Sequence, residues 1–434
     1  MRPVLAAAVL AGPTALAFFD GGYFAGPRDI ALVVAGVLLA LAGATQRLPR
    51  SRPALLAYLG LAGLTAWTAA SIAWAPLTDP AWATFERDLL YLAALLTAAM
   101  VLRGRTPEVA LAGGALVVVG YGLVLTARIA GDHVRAPALR SAAAAAAVPL
   151  LAGLYLTYSR GAIAACAAGL VVLVALTPTW TQLRALAIVV EAGALGIFGA
   201  AATDDERGVA WLAAVMVLAA GVQLWSTSVE AQGTTRLGRL PLPPRHGWIA
   251  AGVVLAMLVV PAAIAAGEDG PNSAGERFGA SAGRLATADS PRYAYWDVAL
   301  RGFGEDPVVG AGAGSFAVTW LRERDERKPA RDAHSLELET LAELGLLGAA
   351  FLVLFGAGLA LAARDVVRGD PALAAGPVAA LAAYAFHASI DWDWEVPALT
   401  LVAVLLAGLL IAESATAAST TNPGSAANRN RVEP

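Results

Sequence analysis

The chain is short of charge, of lysine and of cysteine, and each shortage excludes something. Only 15% of its 434 residues are charged, against about 25% in ordinary soluble domains. A soluble globular protein is therefore excluded, and 58% hydrophobic residues with a mean hydropathy of +0.65 point to the membrane. A net charge of −3 offers no basic excess for nucleic acid. The single cysteine, Cys166, cannot form an intrachain disulfide; in its apolar run it reads as a packing residue. Lys328 is the only lysine, so nearly every cation is an arginine. Alternating apolar and polar strands are missing too, which argues against a β-barrel. No P-loop or G-x-G-x-x-G pattern follows a strand, so Gly310–Gly314 reads as a tight turn after Asp306-Pro307 rather than a nucleotide loop.

What is present is a succession of apolar runs long enough to cross a bilayer. They lie near 3–19, 29–45, 54–75, 88–102, 108–127, 141–158, 161–177, 185–202, 209–226, 248–266, 337–363, 374–390 and 397–412. The expected fold is an all-α, polytopic helical membrane protein with about twelve transmembrane helices and one long external, partly helical loop. Met1-Arg2 and the run to Phe19 resemble a signal peptide, but the spans that follow at once favour a first helix that inserts itself. Residues 1–266 form an N-terminal transmembrane bundle, 267–336 the external region, 337–412 the C-terminal helices and 413–434 a disordered tail.

Arginine clusters set orientation. Arg47, Arg50 and Arg52, then Arg103 and Arg105, then Arg236, Arg239 and Arg245, and finally Arg364 and Arg368 mark cytoplasmic loops. The 267–333 island and Trp392-Asp393-Trp394-Glu395 are then external. Thirteen spans counted from a cytoplasmic N-terminus conflict with this, and the conflict lies between Ala110 and Ser159.

Four places can carry chemistry. His334 follows Asp332 and opens an amphipathic helix through Leu336, Leu338, Leu341, Leu344 and Leu347. Histidine titrates near neutral pH and can accept a hydroxyl proton. Arg331 lies one helical turn before it and Glu337 one turn after, so the three would share a face. The bland alternative is a histidine at the membrane interface. Arg160 stands between two apolar runs with hardly a loop, and reads equally as a snorkelling cation or as one with a buried anion partner. Arg292 lies in Pro291-Arg292-Tyr293-Ala294-Tyr295-Trp296, where a guanidinium fork suits phosphate and the aromatics suit sugar faces or an interfacial belt. Asp391-Trp392-Asp393-Trp394-Glu395 can cap a span, orient sugar hydroxyls, pair with the island's arginines or hold a divalent cation.

In order and spacing these segments resemble the bacterial O-antigen ligase and Wzy-type polymerase superfamily of membrane glycosyltransferases. Ser71-Ile72-Ala73-Trp74-Ala75-Pro76 is similar to its small-residue and Trp signature. Leu156-Thr157-Tyr158-Ser159-Arg160-Gly161 is similar to its LT-x-SRG segment. Arg292 to Trp296 with Asp306 to Phe316 resembles its R-x-x-x-W and P-x-x-G-x-G stretch, and His334 to Gly345 its H-(N/S)-x-x-L-x-x-x-x-E-x-G element. The resemblance implies glycan transfer on the outer face of the cytoplasmic membrane, from a polyprenyl-diphosphate-linked glycan, such as an undecaprenyl diphosphate, to a hydroxyl on a glycan or lipid acceptor. His334 would then be the catalytic residue, as base or orienting group for the acceptor hydroxyl, and Arg160 and Arg292 would hold the donor diphosphate. Arg331, Tyr295, Trp296, Asp391 and Asp393 would complete the substrate site, without metal or cofactor. One apolar segment of the family pattern, ahead of the SRG element, is missing here, since Arg128 to Arg140 runs directly into the alanine-rich stretch. Ligase and polymerase both fit, as does an inactive relative. A flippase or transporter fits less well, because such proteins place ionisable groups in mid-span.

Overall fold

The computed structural model describes residues 1–114, 130, 136–157, 159–202, 206–231, 291–325 and 328–420. Among the described residues fourteen α-helices form and no β-sheet. In chain order they are α1 (Arg2–Ala17), α2 (Ala25–Thr45), α3 (Arg52–Ser71), α4 (Thr78–Val101), α5 (Thr106–Gly114), α6 (Pro137–Leu156) and α7 (Arg160–Leu176). Then follow α8 (Trp180–Ala202), α9 (Glu206–Ala231), α10 (Arg292–Glu305), α11 (Phe316–Glu323), α12 (Leu336–Gly369), α13 (Pro371–Ala388) and α14 (Pro397–Thr420). Eight described helices are long and apolar enough to cross a membrane. The protein is an all-α polytopic membrane protein. The expected span 248–266, much of 108–127, residues 267–290 of the island and 421–434 of the tail lie outside the described residues.

The helices fall into two compact units. The first holds α1 to α4, α10 to α12 and α14. Within it α3 packs along α12, and glycines set the distance. A Cβ on Gly60 would lie 2.2 Å from the Phe355 nitrogen, and one on Gly358 would lie 2.3 Å from the Ala57 nitrogen. In a bilayer, helices associate by such close packing, because lipid removes the hydrophobic drive between them. Ser51 caps α3, accepting from the Ala54 N–H at 3.3 Å, and Pro53 sits in the first turn where its missing donor costs nothing. α14 is the interior helix, with 83% of its apolar window buried; α2 is peripheral, with 11%. The second unit packs α6, α8 and α9 around Val148, Ala192, Val215 and Ala219. Gly193 and Gly196 admit Leu151 and Val148 of α6 against α8.

α4 begins at Thr78, ten residues before the span expected from Asp88, and so carries Glu86, Arg87 and Asp88 inside a helix. Hydropathy alone leaves Glu86 and Arg87 outside the span, with Asp88 at its edge. They are tolerated because each has a partner: Glu86 accepts from Arg28 at 3.1 Å, Arg87 pairs with Glu395, and Asp88 accepts from the Thr68 hydroxyl at 2.8 Å.

α12 is broken at Gly345, whose φ of 64° and ψ of −164° only glycine adopts readily. A helical break orphans backbone groups, and here a loop takes them. The Leu346 and Leu347 amides donate to the carbonyls of Pro307 and Val308 at 2.9 and 3.3 Å. The Ala342 and Glu343 carbonyls accept from Ala311 and Gly312 at 3.0 and 2.8 Å. The glycine-rich segment does turn tightly after Asp306-Pro307, the Gly310 N–H donating to the Asp306 carbonyl at 3.0 Å, and the turned loop is a splint on α12. Gly310 is required because a Cβ there would meet the Glu343 carbonyl at 2.3 Å.

Candidate functional site

The site lies in the first unit, where α10, the start of α12 and the segment Asp391–Glu395 meet. The Glu343 carboxylate accepts from the N–H groups of Gly314 and Phe316 at 2.7 and 2.8 Å. The Ser71 hydroxyl accepts from the Ala313 N–H at 3.0 Å, and the Trp74 indole donates to the Gly310 carbonyl at 3.1 Å. Three motifs far apart in sequence thus meet on one loop. Phe316 and Trp320 of α11, with Tyr295, Val298 and Ala299 of α10, form the apolar cluster beneath it.

His334 stands on this platform just before the Ser335 N-cap of α12, in the left-handed region at φ 54°. Such a conformation costs a non-glycine residue on the order of 1 kcal/mol and persists where surroundings enforce it. Its enforcers are visible. Nδ1 lies 3.1 Å from the Asp332 carbonyl oxygen, the Trp296 indole donates to the His334 carbonyl at 3.4 Å, and the imidazole packs on Tyr295 with ring centres 5.1 Å apart. Trp392 lies on another side at 6.4 Å. A carbonyl only accepts, so in the neutral ring Nδ1 carries the hydrogen and Nε2 presents a lone pair. Burial lowers the His334 pKa below its ordinary value, against the opposing pull of the Asp332 hydrogen bond and the Asp391 charge. The ring is therefore a free base at neutral pH.

Arg292 opens α10 and forms an ion pair with Asp391, whose other oxygen accepts from the Trp392 N–H at 3.1 Å. Of the four readings of the acidic–aromatic segment, pairing with an island arginine is the one formed by Asp391. Asp393 is buried in a single 3-10 turn, Asp393–Glu395. The structure thus brings together His334, Tyr295, Trp296, Arg292 and Asp391. It does not form the expected shared face of Arg331, His334 and Glu337. Residues 331–335 are not helical, so helical spacing does not apply to them. Arg331 instead donates to the Tyr23 hydroxyl at 3.4 Å, and Glu337 accepts from Ser389 at 2.9 Å. Arg160 is the first residue of α7 in the second unit, behind the Ser159 cap.

Sequence reasoning passed over a polar network below His334. Carboxylate oxygens of Asp332, Glu339 and Glu395 lie within 4.8 Å of one another, and Arg87 pairs with Glu395. Glu339 accepts from the Ala333 N–H at 2.6 Å, which pins the backbone beside His334. Burial and then the Glu395 charge push the Asp332 carboxyl up to about 7. The group can share a proton next to the histidine. Its signal was present: Glu339 and Glu343 are one turn apart on an apolar helix, where carboxylates are costly without a role.

Residues 145–353 match the family model described as O-antigen ligase. This stretch, just under half of the chain, is similar to the O-antigen ligase family. No curated protein matches the chain. The stretch matched to the O-antigen ligase model contains Arg160, Arg292, Tyr295, Trp296, Arg331 and His334, and ends before Asp391 and Asp393.

Proposed function

We propose that the protein is a glycosyltransferase that moves a glycan from a polyprenyl-diphosphate donor to an acceptor hydroxyl on the outer face of the cytoplasmic membrane. The observation that carries this reading is a His334 whose Nδ1 is held at the Asp332 carbonyl, which leaves Nε2 as the lone-pair nitrogen, beside the Arg292–Asp391 pair and among Tyr295 and Trp392. Nε2 takes the proton from the acceptor hydroxyl as its oxygen bonds to the anomeric carbon. The bond from that carbon to the diphosphate breaks, and the electron pair leaves on phosphate oxygen. Arg292, aimed by Asp391, neutralises the leaving charge, so no metal is needed. Tyr295 packs on the imidazole and Trp296 holds the His334 carbonyl.

The test is glycan transfer by purified protein, with a lipid-linked donor and EDTA present. Transfer by wild type and none by His334→Ala is expected; equal transfer by both would remove the catalytic assignment. Ligase and polymerase share this chemistry. In a deletion strain, loss of all attached polymer marks a ligase, and single attached repeat units mark a polymerase.

A further inference from the structure

The first unit contains an apolar groove of about 500 Å³ between α1, α2, α4 and α14 that the chemistry above does not use. We infer that it seats the hydrocarbon tail of the polyprenyl donor; this rests on the transferase reading.

The walls are Ala8, Gly12 and Ala15 of α1 and Ala31 and Ala35 of α2, and the floor is Leu90, Ala94, Leu401 and Leu405. The one hydroxyl in the lining, Thr97, is satisfied by the Ala93 carbonyl at 2.8 Å. No polar head can be held inside. The groove runs along α2 from Gly26 to Leu38, about 18 Å at the helical rise. That is close to one leaflet of a hydrocarbon core about 30 Å thick.

Its end at Leu16, Phe19, Gly26 and Pro27 brackets Tyr23 in the chain. The Tyr23 ring lies 5.6 Å from Trp392, and Trp392 lies 6.4 Å from His334. The Tyr23 hydroxyl also accepts from Arg331. A lipid whose chain fills the groove therefore presents its head group beside the reacting histidine. Bilayer tails are as apolar as the groove, so apolarity gives no preference and shape must. Gly12, Ala15, Ala31 and Ala35 leave lateral notches along the walls. A straight acyl chain leaves these empty, losing dispersion contacts, while the methyl branches of a polyisoprenoid fill them.

The test uses full-length protein in phospholipid nanodiscs with a diazirine-tagged long-chain polyprenyl phosphate, and in a parallel arm a diazirine-tagged phosphatidylglycerol. Adducts of the polyprenyl probe on α1 and α2, displaced by untagged polyprenyl phosphate and not by phospholipid, are expected. A Cβ at Gly12 meets nothing within 4 Å, so Gly12→Phe fills the groove without breaking the helix. It should weaken polyprenyl labelling about tenfold through overpacking of the seated chain. It should raise KM for a long-chain donor and leave KM for a short-prenyl donor unchanged. Equal labelling by phosphatidylglycerol, adducts elsewhere, or an equal effect on both donors would overturn the assignment. Labelling needs no turnover, so it stands or falls separately from the transfer assay.

Discussion

The role proposed for His334 rests on its surroundings rather than on its place on a helix. Burial keeps it deprotonated at neutral pH, and the Asp332 carbonyl fixes which nitrogen carries the hydrogen. A positioned base contributes about 10²–10⁴-fold in rate, so His334→Ala should lose that much transfer while the protein still accumulates in the membrane. Because the folded pKa is depressed, wild-type activity should stay level down to about pH 6.5 and fall only below it. A profile that declines from pH 8 downward would mean another group is titrating. His387, inside α13, is the control, and its replacement by alanine should spare transfer. Asp332 behaves in the opposite sense. Its folded pKa of about 7 lies above the ordinary value of 3.8, so the folded state holds a proton that the unfolded chain releases between those values. The stability this contributes is complete below the lower value and is lost as pH rises through the upper one. The melting temperature should fall from pH 5 to pH 8, and Asp332→Asn should flatten that slope. A slope unchanged in Asp332→Asn would assign the titration elsewhere.

Among the elements, α12 and its loop carry the architecture, and here the sequence and the structure part company. The motif order and the apolar runs were legible, because they rest on residue type and spacing. The break at Gly345 was not, since a glycine in a long apolar run looks like any other. Nor was the role of Gly310 to Gly314, which exists only against α12. The Glu86-Arg87-Asp88 stretch read as a helix boundary because hydropathy cannot see Thr68, Arg28 or Glu395 across the fold. The splint makes a sharp prediction. A Cβ on Gly345 would sit 2.3 Å from the Val308 carbonyl oxygen, and its φ is in the left-handed region. Gly345→Ala should therefore cost about 1–3 kcal/mol from strain alone, read as a lower melting temperature. Glu343→Ala leaves the part-buried Gly314 N–H and the buried Phe316 N–H without their acceptor, at about 1–3 kcal/mol for the buried one. Glu343→Gln, which keeps one acceptor oxygen, should lose less. Equal losses for alanine and glutamine would mean the carboxylate acts through charge rather than through these two bonds.

For the whole molecule the decisive property is which side of the membrane the site faces. Arginine-rich 364–368 follows the apolar part of α12, and the positive-inside rule places that end in the cytoplasm. In the orientation we propose, the other end of α12, with His334, α10 and α11, would face outward, where lipid-linked glycans would be presented. Cysteine labelling reads this directly. Ser315 is unsuitable, since it is buried at 1% exposure beneath α11, whereas Leu321 on the same helix is 60% exposed. The single native cysteine, Cys166, is buried in α7 and should stay silent. Leu321→Cys should react with a membrane-impermeant maleimide in intact spheroplasts, and Arg368→Cys only after lysis. If the two reacted in the reverse order, the site would face the cytoplasm and an outer-face transferase could not be built on it, whatever the chemistry of His334.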